Sequence, residues 1–357
     1  MKILLLKYRN IGDVLLITPL ISNLKLFYPD AQIDVALNSG TQDIVSLNPN
    51  ISKVLVFERA QTKSQNVISK IWSECKFFYS FRKKKYELVI NLTEGDRAGF
   101  ISLLTNAQIR LGYLSSNWFL RNAYTQFLPK QDFRHTIETN LDPLKILKIP
   151  IKSKKVDIFW KDSDDQIINK ELSNIDEFIH IHPVSRWLFK CIEDQTMAKI
   201  IDFCEHELRI RVVLTADSNI HEIGKIESIL NYCSSNPLNL SGKLTIKQTA
   251  ALNKRAKLFV GVDTAIMHIS ASNDIPVFAF FGPSGADHWG PWDNSFMFSS
   301  YSKRNGLQSM GMHRVFSENR LCQPCGKDGC DGTKISDCLM SMDLDLIKNE
   351  IIQMMDH

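Results

Sequence analysis

The sequence predicts an α/β protein built on parallel sheets and divided into two domains. Short apolar runs of strand length alternate with segments of helical periodicity along most of the chain, the pattern of repeated βαβ units. Polar and charged residues gather in the loops that follow the apolar runs, where open α/β sheets bind their ligands. A length of 357 residues accommodates two domains of ordinary size.

The composition, 44% hydrophobic and 23% charged, is that of a globular protein. A formal charge of +4 is small for this length and argues against a dedicated nucleic-acid binder. No apolar run reaches the roughly 18 residues of a membrane-spanning helix. The N-terminal MKILLLKYRN reads directly as a strand, with no signal-peptide pattern, so a cytoplasmic location is expected. Eight cysteines in such a location point to free thiols or a metal site rather than disulfides.

Residues 3–6 form the first expected strand, followed by the loop Lys7-Tyr8-Arg9-Asn10-Ile11-Gly12-Asp13. The loop has one glycine, so it is not a dinucleotide fingerprint. Residues 14–26 have helical periodicity, with Thr18-Pro19 inside the early turns; Asp13 stands where it could cap that helix or meet a ligand. Strands follow at 32–36 and 54–57, then a helical region at 67–81. Arg82-Lys83-Lys84-Lys85 reads as a solvated face or as a patch attracted to an anionic membrane, at about 1 kcal/mol per residue. Trp72, Phe77, Phe78, Tyr79 and Phe81 before it are core or an amphipathic face. The strand at 88–91 ends in Thr93-Glu94-Gly95-Asp96-Arg97, and residues 135–147 form a helix opened by His135, Glu138 and Asn140.

The polar stretch 150–175 marks the boundary, giving domains 1–165 and 166–342 with a C-terminal helix in 343–357. The second domain opens with a strand at 178–182, whose loop carries Ser185, Arg186 and Lys190. A strand at 211–215 leads to Asp217 and Glu222, carboxylates of the kind that accept from ribose hydroxyls. Gly242, before a helix at 246–253, suits close backbone approach to a nucleotide. The most informative stretch is 261–292, GVDTAIMHISASNDIPVFAFFGPSGADHWGPW. After the strand at 258–260, Asp263 or Thr264 starts a helix whose open N–H groups suit an anion such as a diphosphate. His268 lies one turn from Thr264, on the same face; the plainer reading makes Asp263 a cap and His268 a surface histidine.

Asp263, Thr264, Ala265, Met267 and His268, then Phe281-Gly282-Pro283 and Trp289-Gly290-Pro291-Trp292, resemble the signature of the heptosyltransferases, glycosyltransferase family 9. Ile11-Gly12-Asp13 with Thr18-Pro19 resembles the family's N-terminal motif, and His182-Pro183 leading to Lys190 its diphosphate-neutralising segment. Departures are Ile266 for a common proline, Ile192 for the tryptophan of a Lys-x-Trp pair, and Asp217 for glycine. The resemblance implies a GT-B architecture, two Rossmann-like domains with parallel sheets facing a central cleft. It also implies inverting transfer of L-glycero-D-manno-heptose from ADP-heptose to the inner core of lipopolysaccharide. Asp13 would be the base and Lys190 the partner of the departing ADP. Ser185, Arg186, Glu222 (with Asp217 as its rival), Gly242, Asp263, Thr264, Ala265 and His268 would bind the donor. Asn91–Arg97 looks like the acceptor loop of members adding a third, branching heptose, with Asp96 and Arg97 as acceptor contacts. Peripheral contact with the inner membrane follows from such an acceptor, and the last helix would cross back onto the first domain.

Cys322, Cys325, Cys330 and Cys338 form a C-x2-C-x4-C-x7-C series that reads as structural zinc, as free or redox-sensitive thiols, or as an iron–sulfur ligand set. The family chemistry requires no metal. The competing classes are a non-catalytic nucleotide-sugar-binding module docked on membranes, and a transferase or epimerase using another nucleotide sugar.

Overall fold

The computed structural model describes residues 1–57, 79–130 and 133–356. The chain forms two compact units. One comprises residues 1–132 and 136–159, the other 133–135 and 160–357.

The sheet of the first unit contains β1 (Lys2–Lys7), β2 (Gln32–Asn38), β3 (Lys53–Phe57), β4 (Leu88–Asn91), β5 (Ile109–Gly112) and β6 (Gln126–Phe127). Their order is β3-β2-β1-β4-β5-β6, with every pairing parallel. Ile3, Leu4, Leu5 and Leu6 are all fully buried, so β1 is covered on both faces, as its unbroken apolar run requires. The chain steps outward from β1 to β3, then restarts at β4 on the other side. The carboxyl ends of β1 and β4 therefore flank the switch point of this sheet.

The helix expected over 14–26 is two helices, Ile11–Leu15 and Thr18–Phe27. Pro19 has no N–H to give to the carbonyl of Leu15, and the Thr18 hydroxyl donates to that carbonyl instead at 2.9 Å. The helix expected over 135–147 is likewise split, into Thr136–Asn140 and Asp142–Ile146. The expectation of a helix over 67–81 falls mostly outside the described residues. Within them, Phe81 is core and Tyr79 is exposed. The basic run that follows is not uniformly solvated, because Lys84 lies 3.8 Å from Asp34.

The two units divide at 159/160, a few residues before the expected 165/166, for a definable reason. Asn23 holds segment 152–153 to the first unit, donating to the Ser153 carbonyl at 2.6 Å and accepting from the Lys152 N–H at 2.7 Å. Trp160 already packs against Ile168 and Leu172 of the second unit and donates to Asp165 at 3.0 Å.

The second sheet contains β7 (Phe178–His182), β8 (Arg211–Leu214), β9 (Leu238–Asn239), β10 (Leu258–Val262), β11 (Val277–Phe280), β12 (Gln308–Met310) and β13 (His313–Phe316). Their order is β12-β13-β11-β10-β7-β8-β9, parallel except for β12 against β13. Here the strand order reverses between β7 and β10.

The C-terminal helix Leu344–Met355 contributes to the core of the second unit. Its Ile347, Ile351 and Met354 recur at the spacing of one helical face and lie in the second unit's own core, with Met197, Ile201 and Phe203. Lys348 pairs with Glu207 at 2.7 Å and Glu350 with Arg314 at 3.5 Å, holding the polar side to the same unit. Ile351→Ala is expected to cost about 2–5 kcal/mol, the range for emptying a buried isoleucine site. It should appear as a lower urea midpoint for the second unit; an unchanged midpoint would remove the helix from the core.

Candidate active site

In the first unit, Asp13 sits in the helix that follows β1, one turn past the strand end. It is not the cap: that position is Asn10, whose side chain makes no capping bond. The Asp13 carboxylate retains 15% exposure and faces the Lys7 ammonium at 3.9 Å. Lys7 is the last residue of β1, almost wholly buried, and donates to the Leu92 carbonyl at 3.4 Å and to Asn140 Oδ1 at 3.3 Å. Burial lowers its pKa to about 8, with Asp13 opposing the shift and Arg9 adding to it. The sequence motif found Asp13 but not Lys7. The available signal was a lone cation closing the apolar run Ile-Leu-Leu-Leu.

Asp96 and Arg97 lie at the start of the helix Asp96–Thr105, beyond β4. The Asp96 carboxylate accepts from Asn117 at 3.2 Å and from the Ser115 hydroxyl at 3.4 Å, so it tethers the loop after β5. The Arg97 guanidinium lies over the Phe57 ring, 4.1 Å from its centre. Both side chains are engaged in building their surroundings.

In the second unit, the loops after β7 and β10 meet at the switch point. Lys190, in the short turn Leu188–Lys190, reaches Asp263 Oδ2 at 2.5 Å, and the Ser284 hydroxyl donates to the same oxygen at 2.5 Å. Burial pushes the Asp263 carboxyl up. The Lys190 charge and hydrogen bond, the Ser284 hydroxyl and the nearby His268 outweigh this and hold it below the usual carboxylate value. Ser284 was not singled out from sequence, because only folding brings the loop after β11 to Asp263.

The helix Ala265–Ser272 begins beside this pair with Thr264 as its N-cap residue. The Thr264 hydroxyl makes no capping bond and is buried without a partner. The cap expected of Asp263 or Thr264 is thus missing, and the first N–H groups of the helix are left for a ligand. His268 is buried one turn on, with its ring centre 6.5 Å from that of Trp289.

Behind these loops runs a buried polar chain. Asn253 Nδ2 donates to His180 Nδ1 at 3.0 Å, which places the His180 proton on Nε2. That proton goes to the Thr215 hydroxyl at 2.7 Å, and the hydroxyl in turn donates to His182 Nδ1 at 2.9 Å. His182 therefore carries its proton on Nε2. Burial holds both rings neutral, His180 well below the usual value and His182 down to about 3.

The remaining donor candidates surround the ends of β7, β8 and β9. Glu222 accepts from the Asp217 N–H at 3.0 Å. Burial raises its pKa, the Asp217 N–H opposes this and the Asp217 charge adds to it. Gly242 has φ +73° and donates to the Ala216 carbonyl at 3.0 Å; a Cβ there would stand 3.1 Å from Ile223. Ser185 is buried and accepts from the Trp187 N–H at 3.2 Å, whereas Arg186 is exposed beside the Trp187 ring.

The four cysteines of the C-terminal segment lie within electrostatic reach of one another, Cys338 beside Cys330, Cys325 and Cys322. Among the described residues no group of three or more His, Cys, Asp or Glu side chains could hold a metal ion. Cys322 is exposed, Cys325 and Cys330 are half-buried and Cys338 lies in the apolar core beside Leu339. Burial, then the neighbouring Cys330, raises the Cys338 thiol to about 11; Arg320 opposes this, and Cys325 and Cys322 add to it. The segment is held by other means: the buried Gln323 donates to the Gly282 carbonyl at 3.1 Å and the Gly326 N–H to the Pro283 carbonyl at 2.9 Å.

Comparison with known proteins bears on this arrangement. A model of glycosyltransferase family 9 (heptosyltransferase) matches residues 75–317. Lipopolysaccharide heptosyltransferase 3 of Escherichia coli is 30% identical over 293 residues, 80% of this chain and 85% of that protein. Lipopolysaccharide heptosyltransferase 2 of Salmonella typhimurium is 22% identical over 340 residues, 88% of this chain and 93% of that protein. The family 9 glycosyltransferase structure from Veillonella parvula superposes with a TM-score of 0.81 at 19% identity, covering 99% of this chain and 97% of that one. The structure of E. coli heptosyltransferase WaaC with ADP gives 0.70 at 18% identity, covering 99% and 100%. The fold is accordingly the GT-B type of these enzymes, two Rossmann-like units on parallel sheets. With the family matched over more than half of its length, the chain belongs to glycosyltransferase family 9, the heptosyltransferases.

Proposed function

We propose that the protein transfers L-glycero-D-manno-heptose from ADP-heptose to the inner core of lipopolysaccharide, with inversion at the anomeric carbon. The observation that carries this reading is the Lys190–Asp263–Ser284 cluster beside the uncapped helix start at Thr264. It offers a held cation and open N–H groups to the diphosphate of a nucleotide sugar at the switch point of a parallel sheet. The curated relatives named as lipopolysaccharide heptosyltransferase 3 supply the substrate class.

The reaction is one displacement. Asp13 takes the proton of the acceptor hydroxyl as that oxygen attacks the anomeric carbon, and the bond to the diphosphate oxygen breaks. Lys190 and the first N–H groups of the helix Ala265–Ser272 stabilise the negative charge on the departing ADP. Asp263 acts by aiming Lys190, because its buried carboxylate is already engaged by that ammonium and by Ser284. His268, Ala265 and Ser185 line the donor side, with Arg186 as a second cation for phosphate. Glu222 is the carboxylate for the ribose, and it also fixes the Asp217 backbone; Gly242 keeps the adjoining loop open. On the acceptor side, Asp96 and Arg97 order the loops after β4 and β5. The acceptor is a lipid, and among the described residues no helix is long and apolar enough to cross a membrane. A lipid acceptor brings the enzyme to the cytoplasmic face of the inner membrane as a peripheral contact.

ADP release by purified protein should require both ADP-heptose and a heptose-truncated lipopolysaccharide, and the product should gain one heptose by mass. Release without acceptor would indicate an epimerase or hydrolase instead. Asp13→Asn should lower turnover by about 10²–10⁴-fold, the range of a lost general base, with ADP affinity unchanged. Near-normal turnover would overturn the base assignment. Lys190→Ala should lower turnover by about 10²–10³-fold, the cost of losing one group aimed at developing charge, and should weaken ADP binding as well. Because an ammonium and backbone N–H groups supply the positive charge, turnover is expected to survive chelator.

A further inference from the structure

We propose that Lys7 is a positioning residue for the Asp13 base, a buried ammonium that fixes the direction of the Asp13 carboxylate without occupying its lone pairs. The inference rests on the reading of Asp13 as the base.

An ammonium removed from water costs several kcal/mol unless its donors are met. Lys7 has three donors; the structure gives two of them an acceptor and sets the ammonium facing a carboxylate. One goes to the Leu92 carbonyl at 3.4 Å and one to Asn140 Oδ1 at 3.3 Å. The ammonium faces Asp13 Oδ1 at 3.9 Å. Both acceptors are themselves fixed. Leu92 is held by its N–H on the Leu6 carbonyl at 2.9 Å. The Asn140 amide cannot turn over, because its Nδ2 donates to the Leu16 carbonyl at 3.0 Å and so presents Oδ1 to the lysine. Leu6 lies in β1 and Leu16 just beyond the helix Ile11–Leu15, so the cation is locked between the strand and the helix that carry the site.

The separation decides the role. At 3.9 Å the pair attracts by charge but is too long for a hydrogen bond, so the carboxylate keeps its acceptor capacity for a hydroxyl proton. Among the described residues, the charged groups that act on Lys7 are Asp13, in the helix Ile11–Leu15, and Arg9, in the loop before it. Burial brings the Lys7 ammonium down to about 8, so it titrates within the range of an ordinary assay. The sign follows. Below that value the cation is present and Asp13 is held; above it the charge is lost and the carboxylate loses its partner.

The experiment is the pH profile of kcat for the full-length enzyme with ADP-heptose and truncated lipopolysaccharide, beside ADP affinity by calorimetry. Wild type should show an alkaline limb near the Lys7 value. Lys7→Met should lower kcat by about 10–100-fold, the scale of losing a supporting partner, and should abolish that limb while leaving ADP affinity unchanged. Lys7→Arg, charged at every assay pH, should restore part of kcat without the limb. Asn140→Asp adds a carboxylate beside the ammonium and should move the limb upward, by about 1–3 units on the scale of a close opposite charge. It also supplies the answer if Lys7→Met does not fold. A limb that stays in place in Asn140→Asp, or that persists in Lys7→Met, overturns the proposal. Asp13→Asn separates the two readings: if it keeps turnover the base assignment fails, whereas if it is inactive and the lysine variants keep the wild-type profile, only the positioning role fails.

Discussion

The ion pair between Lys190 and Asp263 ties together two loops that leave neighbouring strands and then diverge. Parallel strands place their carboxyl ends on one edge, and where the strand order reverses the adjoining loops run apart and leave a crevice. Such a crevice gathers charge without covering it. The pair settles that problem by placing the carboxylate inside, under Ser284, and the ammonium at its rim with about a quarter of the side chain exposed. The buried chain from Asn253 to His182 supports the same edge from below and carries no net charge, so it does not compete with the pair for counter-ions.

Each unit contains a lysine and an aspartate at its switch point, and the two pairs are tuned differently. The Lys190–Asp263 pair is in hydrogen-bond contact at 2.5 Å and leaves the carboxylate fully engaged. The Lys7–Asp13 pair stands at 3.9 Å, with the lysine nearly sealed from solvent and the aspartate partly open. Chemistry follows from that inversion. A carboxylate held by two short hydrogen bonds is a poor proton acceptor and a good anchor; one that faces a cation without a hydrogen bond keeps its lone pairs open to a hydroxyl proton.

Much of this was readable from the sequence, because apolar runs specify buried parallel strands almost by themselves and the Asp263–His268 stretch is long and particular. What the sequence did not reveal depends on tertiary partners. Thr18-Pro19 is compatible with one helix, and only the Leu15 carbonyl, met by the Thr18 hydroxyl, shows why there are two. Asp96 also tethers the next loop, through Ser115 and Asn117, and no local pattern shows that. Lys7 resembles the end of a strand until Asn140, more than a hundred residues later, supplies its acceptor.

The seating of Ile347, Ile351 and Met354 bears on how the protein is made. Domains tend to fold as they emerge from the ribosome, N-terminal first. The first unit has all of its chain once residue 159 has been made. The second unit incorporates residues 133–135 early and then lacks one wall of its core until residues 344–355 have been synthesised. Throughout that interval Met197, Ile201 and Phe203 lack the helix that covers them. A nascent chain of this protein is therefore a half-finished object, its first unit complete and its second unit exposing apolar surface, and chaperone demand should concentrate in that window rather than at the start of synthesis.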